Sequence, residues 1–178
     1  MSELRPLLRA EEISAIVNEL AEEIGKDYTG KTPVLIGLLK GAFIFMADLA
    51  RALEMDLEVE FIQPSSYRAG TKASSEDVVF IHSLKGDVGG RHVLIIDGIV
   101  DRGATLRKVV KEIEGLGAAS IKVCSLLVRK DVKHDVTVDY TGRSIPAGFV
   151  VGYGMDMGGR YRQLKDVYIL KEKHREKI

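Results

Sequence analysis

The sequence is short of several features that would assign a chain to a specialised class of protein. Its single cysteine, Cys124, excludes an internal disulfide framework and a cysteine-rich zinc site. Its 26 basic and 26 acidic side chains give a net charge of zero. That balance argues against a chain built mainly to coat nucleic acid or an anionic membrane.

Long apolar runs are also absent. A membrane-spanning helix needs ~18 consecutive apolar residues, and the longest candidate, residues 33–50, is interrupted by Gly37, Lys40, Gly41 and Asp48. The N-terminal residues carry charges where a signal peptide needs an apolar run, so we expect no signal peptide. Together with the lone thiol, which fits a reducing compartment, these features predict a soluble, cytoplasmic protein.

The chain is long enough to bury a core of its own. At about 150 residues per domain, its 178 residues predict one domain over residues 1–178. Hydrophobic residues make up 46% and charged residues 29%, which is typical of a globular chain and not of a disordered one. Cys124 lies in an apolar strand pattern and is interpreted as packing. No metal-ligand spacing is matched by the four histidines, His82, His92, His134 and His174.

Strand-like and helix-like patterns alternate along the chain. Residues 10–28 place apolar side chains at helical spacing, and helical patterns return after Gly41 and over residues 105–117. The runs 33–39, 92–97 and 120–128 are almost continuously apolar, which is typical of strands covered on both faces. We therefore predict an α/β fold with a mostly parallel sheet, in which ligands bind at the carboxyl ends of the strands.

Several shorter patterns are less regular. Residues 57–63 indicate a further strand, and short strand candidates occur at 136–140, 149–153 and 167–170. The segment 64–77 is polar and long for a loop, and loops of that length in compact domains are often functional or mobile.

The apolar run 92–97 leads into the most informative segment. Asp97 closes the run, Asp101 follows four residues later, and Gly103 and Thr105 precede a helical pattern. Backbone N–H groups at a helix start, beside a threonine hydroxyl, form a cradle for an anion. The two aspartates would then hold a cation, ribose hydroxyls or a proton beside a phosphate. The alternative is an ordinary strand–helix corner that Asp101 or Thr105 caps, and the residues alone leave both interpretations open.

This segment resembles the phosphoribosyl-pyrophosphate (PRPP) signature of the type I phosphoribosyltransferases. The signature has an apolar strand, two acids, two apolar residues, an acid, a small hydroxyl residue, Gly, any residue and Thr. Two positions depart from it, because Gly98 stands where the second acid is expected and Arg102 replaces the small hydroxyl residue. The matching residues are Ile95, Ile96, Asp97, Ile99, Val100, Asp101, Gly103 and Thr105.

Four further segments, in the same order along the chain, resemble the hypoxanthine-guanine phosphoribosyltransferases over residues 33–164. Leu39-Lys40-Gly41 resembles the pyrophosphate-binding loop, whose first peptide bond is often cis in that family. Ser66 and Tyr67 resemble the start of a flexible catalytic loop. Arg129 stands at the position of a lysine that contacts the purine six-position oxygen, and Lys130 follows it.

The fourth segment, residues 145–156, resembles the purine-specific part of the family. The resemblance implies that Phe149 stacks on the base and that the Val150 backbone recognises its edge. It implies that Asp156 binds Mg²⁺ near pyrophosphate and that Arg162 contacts pyrophosphate. Standing alone, Phe149 would be interpreted as a core aromatic.

The resemblance implies purine salvage, with transfer of the 5-phosphoribosyl group from PRPP to hypoxanthine or guanine. Asp101 would take or share the N7 proton, and Asp97 would hold ribose hydroxyls or Mg²⁺. The 5′-phosphate would lie on residues 101–105, namely Asp101, Arg102, Gly103, Ala104 and Thr105. The implied fold is a mostly parallel central sheet flanked by helices, with a small hood from the chain termini and a flexible loop. A homodimer or homotetramer is implied as well.

The departures at Gly98 and Arg102 keep two other functions open. One is a PRPP- or nucleotide-binding regulator with weak or no turnover. The other is a phosphoribosyltransferase with a different base preference, such as xanthine. A nucleic-acid partner is not expected, because the net charge is zero and no basic stripe is present.

Overall fold

The computed structural model describes residues 4–65, 79–80, 87–130 and 132–170. A five-stranded sheet forms its centre, in the order β3 (Glu58–Ile62), β2 (Val34–Leu38), β6 (His92–Val100), β7 (Ser120–Arg129) and β8 (Tyr140–Ile145). Every neighbouring pair in this sheet is parallel. The predicted α/β fold with a mostly parallel sheet is thereby confirmed.

Helices cover both faces of the central sheet, which explains the continuous apolar runs. In β6, Leu94 and Ile96 pack into one buried cluster with side chains of α1 (Ala10–Asp27) and α2 (Phe43–Ala52). The alternate residues Val93 and Ile95 pack on the other face with α3 (Ala104–Gly115). Because successive side chains of a strand point to opposite faces, a strand between two helical layers must be apolar at every position.

The helical spacing of the apolar residues in the sequence explains why α1 forms. Its buried residues recur at helical spacing, and the Glu12 carboxylate accepts the backbone N–H of Arg9 at 2.8 Å, where the helix begins. The helix ends at Asp27, in the polar stretch that follows Gly25. None of the described helices is long and apolar enough to cross a membrane.

A second, antiparallel sheet joins the two ends of the described chain. Its strand order is β1 (Leu4–Leu8), β10 (Val167–Leu170) and β9 (Phe149–Val151). This three-stranded sheet is the small hood that the resemblance implied. The remaining strands, β4 (Pro64–Ser65) and β5 (Val79–Phe80), form a short antiparallel pair.

The strand predicted at residues 136–140 is wrong, because β8 begins only at Tyr140. The preceding residues form a loop against the N-terminus of α3. The Asp135 N–H donates to the Arg102 carbonyl at 2.7 Å, and a Cβ placed on Gly103 would lie 2.7 Å from Cγ1 of Val136. Val136 and Val138 both pack against the buried cluster on the α3 side of the sheet, so they are apolar without pairing in a sheet.

Cys124 is fully buried in β7. Burial raises the pKa of its thiol, so the reactive thiolate form is disfavoured. The interpretation of Cys124 as a packing residue is confirmed.

Candidate functional site

A cavity of about 740 Å³ opens at the carboxyl ends of the parallel strands. Its walls come from the ends of β2, β6 and β7, the first turn of α3 and the turn before β9. Parallel strands bring their carboxyl ends to one edge of a sheet, so residues far apart in sequence meet there. Among the predicted site residues, those lining the cavity are Leu39, Gly41, Asp97, Asp101, Arg102, Gly103, Ala104, Thr105 and Arg129.

Residues 101–105 form an open corner at the start of α3. Gly103 adopts a left-handed conformation with φ of 83°, which the missing side chain allows. The interpretation of Asp101 or Thr105 as a helix cap is wrong, because Gly103 is the N-cap and no side chain makes a capping hydrogen bond. The backbone N–H groups of the first turn, which have no partner within a helix, therefore remain available to an anion in the cavity.

Asp97 lies on the cavity wall within β6. The pKa of this carboxyl is raised to about 6, mainly by burial and to a smaller extent by the neighbouring Asp101 carboxylate. The backbone N–H groups of Gly98 and Ile99 act in the opposite direction and lower the pKa. Asp97 is therefore a carboxylate whose negative charge is poorly solvated and would be stabilised by a bound cation or hydroxyl donor.

This raised pKa predicts a pH-dependent cost in stability. The unfolded carboxyl has a pKa of about 3.9, so the ionised group destabilises the native state fully above pH ~6 and not at all below pH ~4. We expect Asp97→Asn to raise the free energy of unfolding by about 1–2 kcal/mol near pH 7.5 and by less near pH 4.5. Urea unfolding at both pH values, without divalent cations, measures the difference.

Asp56→Asn is the matched control, since Asp56 is exposed between α2 and β3, at the opposite edge of the sheet. It should leave stability unchanged at both pH values. A gain for Asp97→Asn that is equal at the two pH values, or a loss near pH 7.5, would contradict the assignment.

The loop after β2 has the geometry that the resemblance implied. The Leu39–Lys40 peptide bond is cis. The Leu39 N–H donates to the Ile62 carbonyl at 2.8 Å, and the Ala42 N–H donates to the Leu38 carbonyl at 3.2 Å. Lys40 is exposed.

Gly98 has a packing role that the sequence alone did not show. A Cβ on Gly98 would lie 3.1 Å from the carbonyl oxygen of Gly41. A Cβ on Gly154 would lie only 2.5 Å from the same oxygen. The loop after β2 is therefore packed between Gly98 and Gly154. At position 98, where the family has the second acid, the backbone of Gly41 leaves little room for a side chain.

Asp156 and Arg162 lie in the segment between β9 and β10 and pair with each other. Their side chains meet at 2.7 Å between Oδ1 and Nη2. Nη1 of Arg162 donates to the Gly154 carbonyl at 2.6 Å, and the Gly159 N–H donates to Oδ2 of Asp156 at 2.7 Å. Since Gly154 contacts Gly41, this ion pair is placed beside the loop after β2.

Arg129 ends β7 and connects two walls of the cavity. Its Nε donates to Oδ1 of Asp101 at 2.6 Å, and Nη1 donates to the Pro146 carbonyl at 2.5 Å. Nη2 donates to the Gly148 carbonyl. These carbonyls belong to the turn that leads into β9.

Phe149 and Val150 open β9 directly after that turn. Half of the Phe149 surface is exposed, so its interpretation as a core aromatic is wrong. Val150 is buried at 6% exposure. An exposed aromatic ring is a surface on which another flat ring can stack.

Of the other predicted site residues, Lys40, Phe149, Val150, Asp156 and Arg162 are not among the residues that line this cavity. Ser66 and Tyr67 lie outside the described residues, as do His82 and His174. His92 contacts the Ser120 hydroxyl at 2.7 Å, and His134 donates from Nε2 to the Arg129 carbonyl at 3.0 Å. Within the described part of the chain, no cluster of three or more His, Cys, Asp or Glu side chains could hold a metal.

Some cavity residues were not singled out from the sequence. Ala147 and Gly148 line the cavity, as does Val132. Ala147 and Gly148 lie within the segment 145–156 that the resemblance covers, whereas Val132 was marked only by its position after the predicted strand 120–128. Side-chain chemistry could not have identified them because they contribute backbone or a small apolar surface.

Comparison with known proteins gives a consistent result. The model of the phosphoribosyl transferase domain matches residues 5–157. A hypoxanthine-guanine phosphoribosyltransferase of Streptococcus pneumoniae is 38% identical over 167 residues, which cover 93% of this chain and 92% of that protein. A protein of the same name from Mycobacterium tuberculosis is 43% identical over 166 residues, covering 89% of this chain and 81% of that protein.

The fold agrees as closely with solved structures. A hypoxanthine phosphoribosyltransferase of Trypanosoma cruzi superimposes with a TM-score of 0.87 at 36% sequence identity. The superposition covers 96% of this chain and 92% of that one.

Proposed function

The chain belongs to the hypoxanthine-guanine phosphoribosyltransferase family, and we propose that its cavity performs that transfer on PRPP and a 6-oxopurine. The products are IMP or GMP and pyrophosphate. The observation that carries the proposal is the shared cavity of about 740 Å³, which joins the corner at residues 101–105, the loop at Leu39–Gly41 and Arg129. This volume lies within the range of sites that bind small ligands and cofactors.

The ribose 5′-phosphate binds at the corner formed by residues 101–105. The N–H groups of the first turn of α3 are aimed at an anion there, and the partial positive charge of a helix N-terminus adds to the attraction. Arg102 is exposed and lines the cavity. Its fixed positive charge contacts the phosphate in place of the usual small hydroxyl residue.

The purine stacks on the exposed ring of Phe149. The Val150 backbone meets its edge, and Arg129 stands at the other wall. Asp101 faces N7 and accepts its proton as the new bond to ribose forms. Its side chain is 73% exposed, so it is accessible to a ligand in the cavity.

The leaving pyrophosphate binds at Leu39, Lys40 and Gly41. The ammonium of Lys40 and the guanidinium of Arg162 stabilise the negative charge that develops as the bond to ribose breaks. Arg162 must then share its charge between pyrophosphate and Asp156.

The described carboxylates fit Mg²⁺ as it binds with a phosphorylated substrate. Mg²⁺ usually takes one or two carboxylates together with substrate phosphates and water, and Asp97 and Asp156 supply one each. Asp97 lines the cavity, where burial disfavours its negative charge, and this placement favours a cation beside it. When bound, Mg²⁺ neutralises charge on the diphosphate.

The assay offers Mg²⁺, PRPP and one of four bases: hypoxanthine, guanine, xanthine or adenine. Rapid nucleotide formation with hypoxanthine or guanine supports the proposal, and the rates rank the bases. Turnover confined to xanthine would indicate a different base preference. If calorimetry detects PRPP or nucleotide binding without turnover, the chain acts as a binding regulator instead.

Light scattering on the same sample tests whether it is a homodimer or homotetramer.

Arg102 provides a specific test of phosphate binding. We expect Arg102→Ala to raise the KM for PRPP by about tenfold with kcat changed by less than about twofold, since the contact is equal in ground and transition states. Arg102→Lys should recover part of the loss. Arg143→Ala, at an exposed arginine of β8, is the matched control and should have no effect. An unchanged KM for Arg102→Ala would remove this residue from phosphate binding.

A further inference from the structure

We propose that Arg129 is a positioning residue for Asp101, and this inference rests on the proposed function. The guanidinium fixes one oxygen of the Asp101 carboxylate at 2.6 Å and thereby sets the orientation of the group that accepts the N7 proton. This role is separate from any contact that Arg129 makes with the base itself.

The guanidinium is held from two sides. Nη1 and Nη2 donate to the carbonyls of Pro146 and Gly148, so the group cannot rotate without breaking these hydrogen bonds. Its side chain is only 11% exposed, whereas that of Asp101 is 73% exposed. The arginine is the fixed partner in this pair, and the aspartate is the one whose orientation needs support.

Asp101 has no other hydrogen-bond partner of its side chain among residues 4–65, 79–80, 87–130 and 132–170. One carboxylate oxygen is engaged by Arg129, and the other remains to accept a proton. An unsupported exposed carboxylate samples several rotamers, and only some of them face N7. The ion pair therefore supplies orientation at a flexible, exposed group.

The same guanidinium also relates Asp101 to the surface that holds the base. Pro146 and Gly148 belong to the turn immediately before Phe149 and Val150. Arg129 thus fixes the distance between the proton acceptor and the stacking surface. Correct placement of a reacting group relative to its substrate is worth large factors in rate.

Only arginine can make this set of contacts. Its planar fork has five N–H bonds, of which three serve Asp101 and the two carbonyls. One N–H on each Nη remains, so a contact with the purine oxygen is compatible with the positioning role. A lysine at this position carries the same charge but cannot bridge three acceptors in a fixed plane.

The test is a double-mutant cycle between Arg129→Lys and Asp101→Asn, read as kcat and KM with hypoxanthine. We expect Arg129→Lys to lower kcat by about tenfold in the native background, with the KM for PRPP within about twofold. In the Asp101→Asn background the same substitution should change kcat by less than about twofold, because the group it positions no longer accepts the proton. Arg143→Lys is the matched control, and thermal unfolding establishes that each variant is folded.

Equal losses in the two backgrounds would overturn the proposal, since Arg129 would then act independently of Asp101. A change confined to the KM for hypoxanthine would also overturn it and would leave Arg129 as a contact to the base only. If Arg129→Lys does not fold, Arg129→Gln, which is planar and uncharged, is carried through the same cycle. Absence of nucleotide formation by the parent protein would instead show that the proposed function itself has failed.

Discussion

Replacing Asp101 by asparagine should lower kcat by about 100-fold or more and change the KM for PRPP by less than about threefold. The amide has nearly the same shape as the carboxylate, and its oxygen can still accept the hydrogen bond from Nε of Arg129. What it loses is the ability to take up a proton. The expected result is a defect in the chemical step with substrate binding preserved.

Exposure of Asp101 makes this experiment easy to interpret. Because its side chain is 73% exposed, the substitution should leave the unfolding free energy within about 0.5 kcal/mol of the parent value. Asp56→Asn provides the same chemical change at the opposite edge of the sheet and should leave kcat unchanged. An Asp101→Asn variant with the turnover of the parent protein would remove Asp101 from the chemistry.

The central sheet was predictable because the continuous apolar pattern of each strand is visible in that strand's own sequence. β2, β6 and β7 lie between two helical layers, and both sets of alternating side chains are buried. The resulting apolar runs are visible without any knowledge of the partners. The helices α1 and α3 were equally visible, since their buried residues recur at helical spacing.

The N-terminal strand could not be predicted in the same way. β1 pairs with β10, so that Leu4 lies opposite Leu170 at the other end of the described chain. Two of its five residues are exposed, and only Leu8 is buried. Its strand conformation depends on a partner more than 150 positions away, and nothing local specifies that partner. The misplaced strand at residues 136–140 is the converse case, in which local alternation indicated pairing but tertiary contacts with the α3 corner prevailed.

The candidate site was predictable in position but not in its internal contacts. The topology of a parallel sheet brings the ends of β2, β6 and β7 to one edge, so residues after these strands had to meet. The hydrogen bonds of Arg129 depend on its side-chain conformation, which the sequence does not encode locally. Gly98 shows the same limit, because the sequence indicates a lost acid whereas the structure shows a close backbone approach to Gly41.

That close approach predicts a large effect for Gly154→Ala. Gly154 has a φ of 96°, which residues with a side chain rarely adopt, and the added Cβ would lie 2.5 Å from the carbonyl oxygen of Gly41. A backbone carbonyl cannot move away as a flexible side chain would, so the loop carrying Lys40 must shift. We expect the free energy of unfolding to fall by about 2–3 kcal/mol. Misplacement of the pyrophosphate contacts should lower kcat/KM for PRPP by about 100-fold.

Gly158→Ala separates the cost of the positive φ from the cost of the clash with the Gly41 carbonyl. Gly158 lies in the same segment with a φ of 60°, but a Cβ there would have no atom within 4 Å. This control therefore experiences backbone strain without the clash, and it should cost about 1 kcal/mol of stability with kcat/KM nearly unchanged. Urea unfolding and steady-state kinetics on both variants make the comparison. If Gly154→Ala were no worse than Gly158→Ala in both measurements, the contact between Gly154 and the loop would not matter for PRPP, and the role of Leu39–Gly41 in binding pyrophosphate would have to be abandoned.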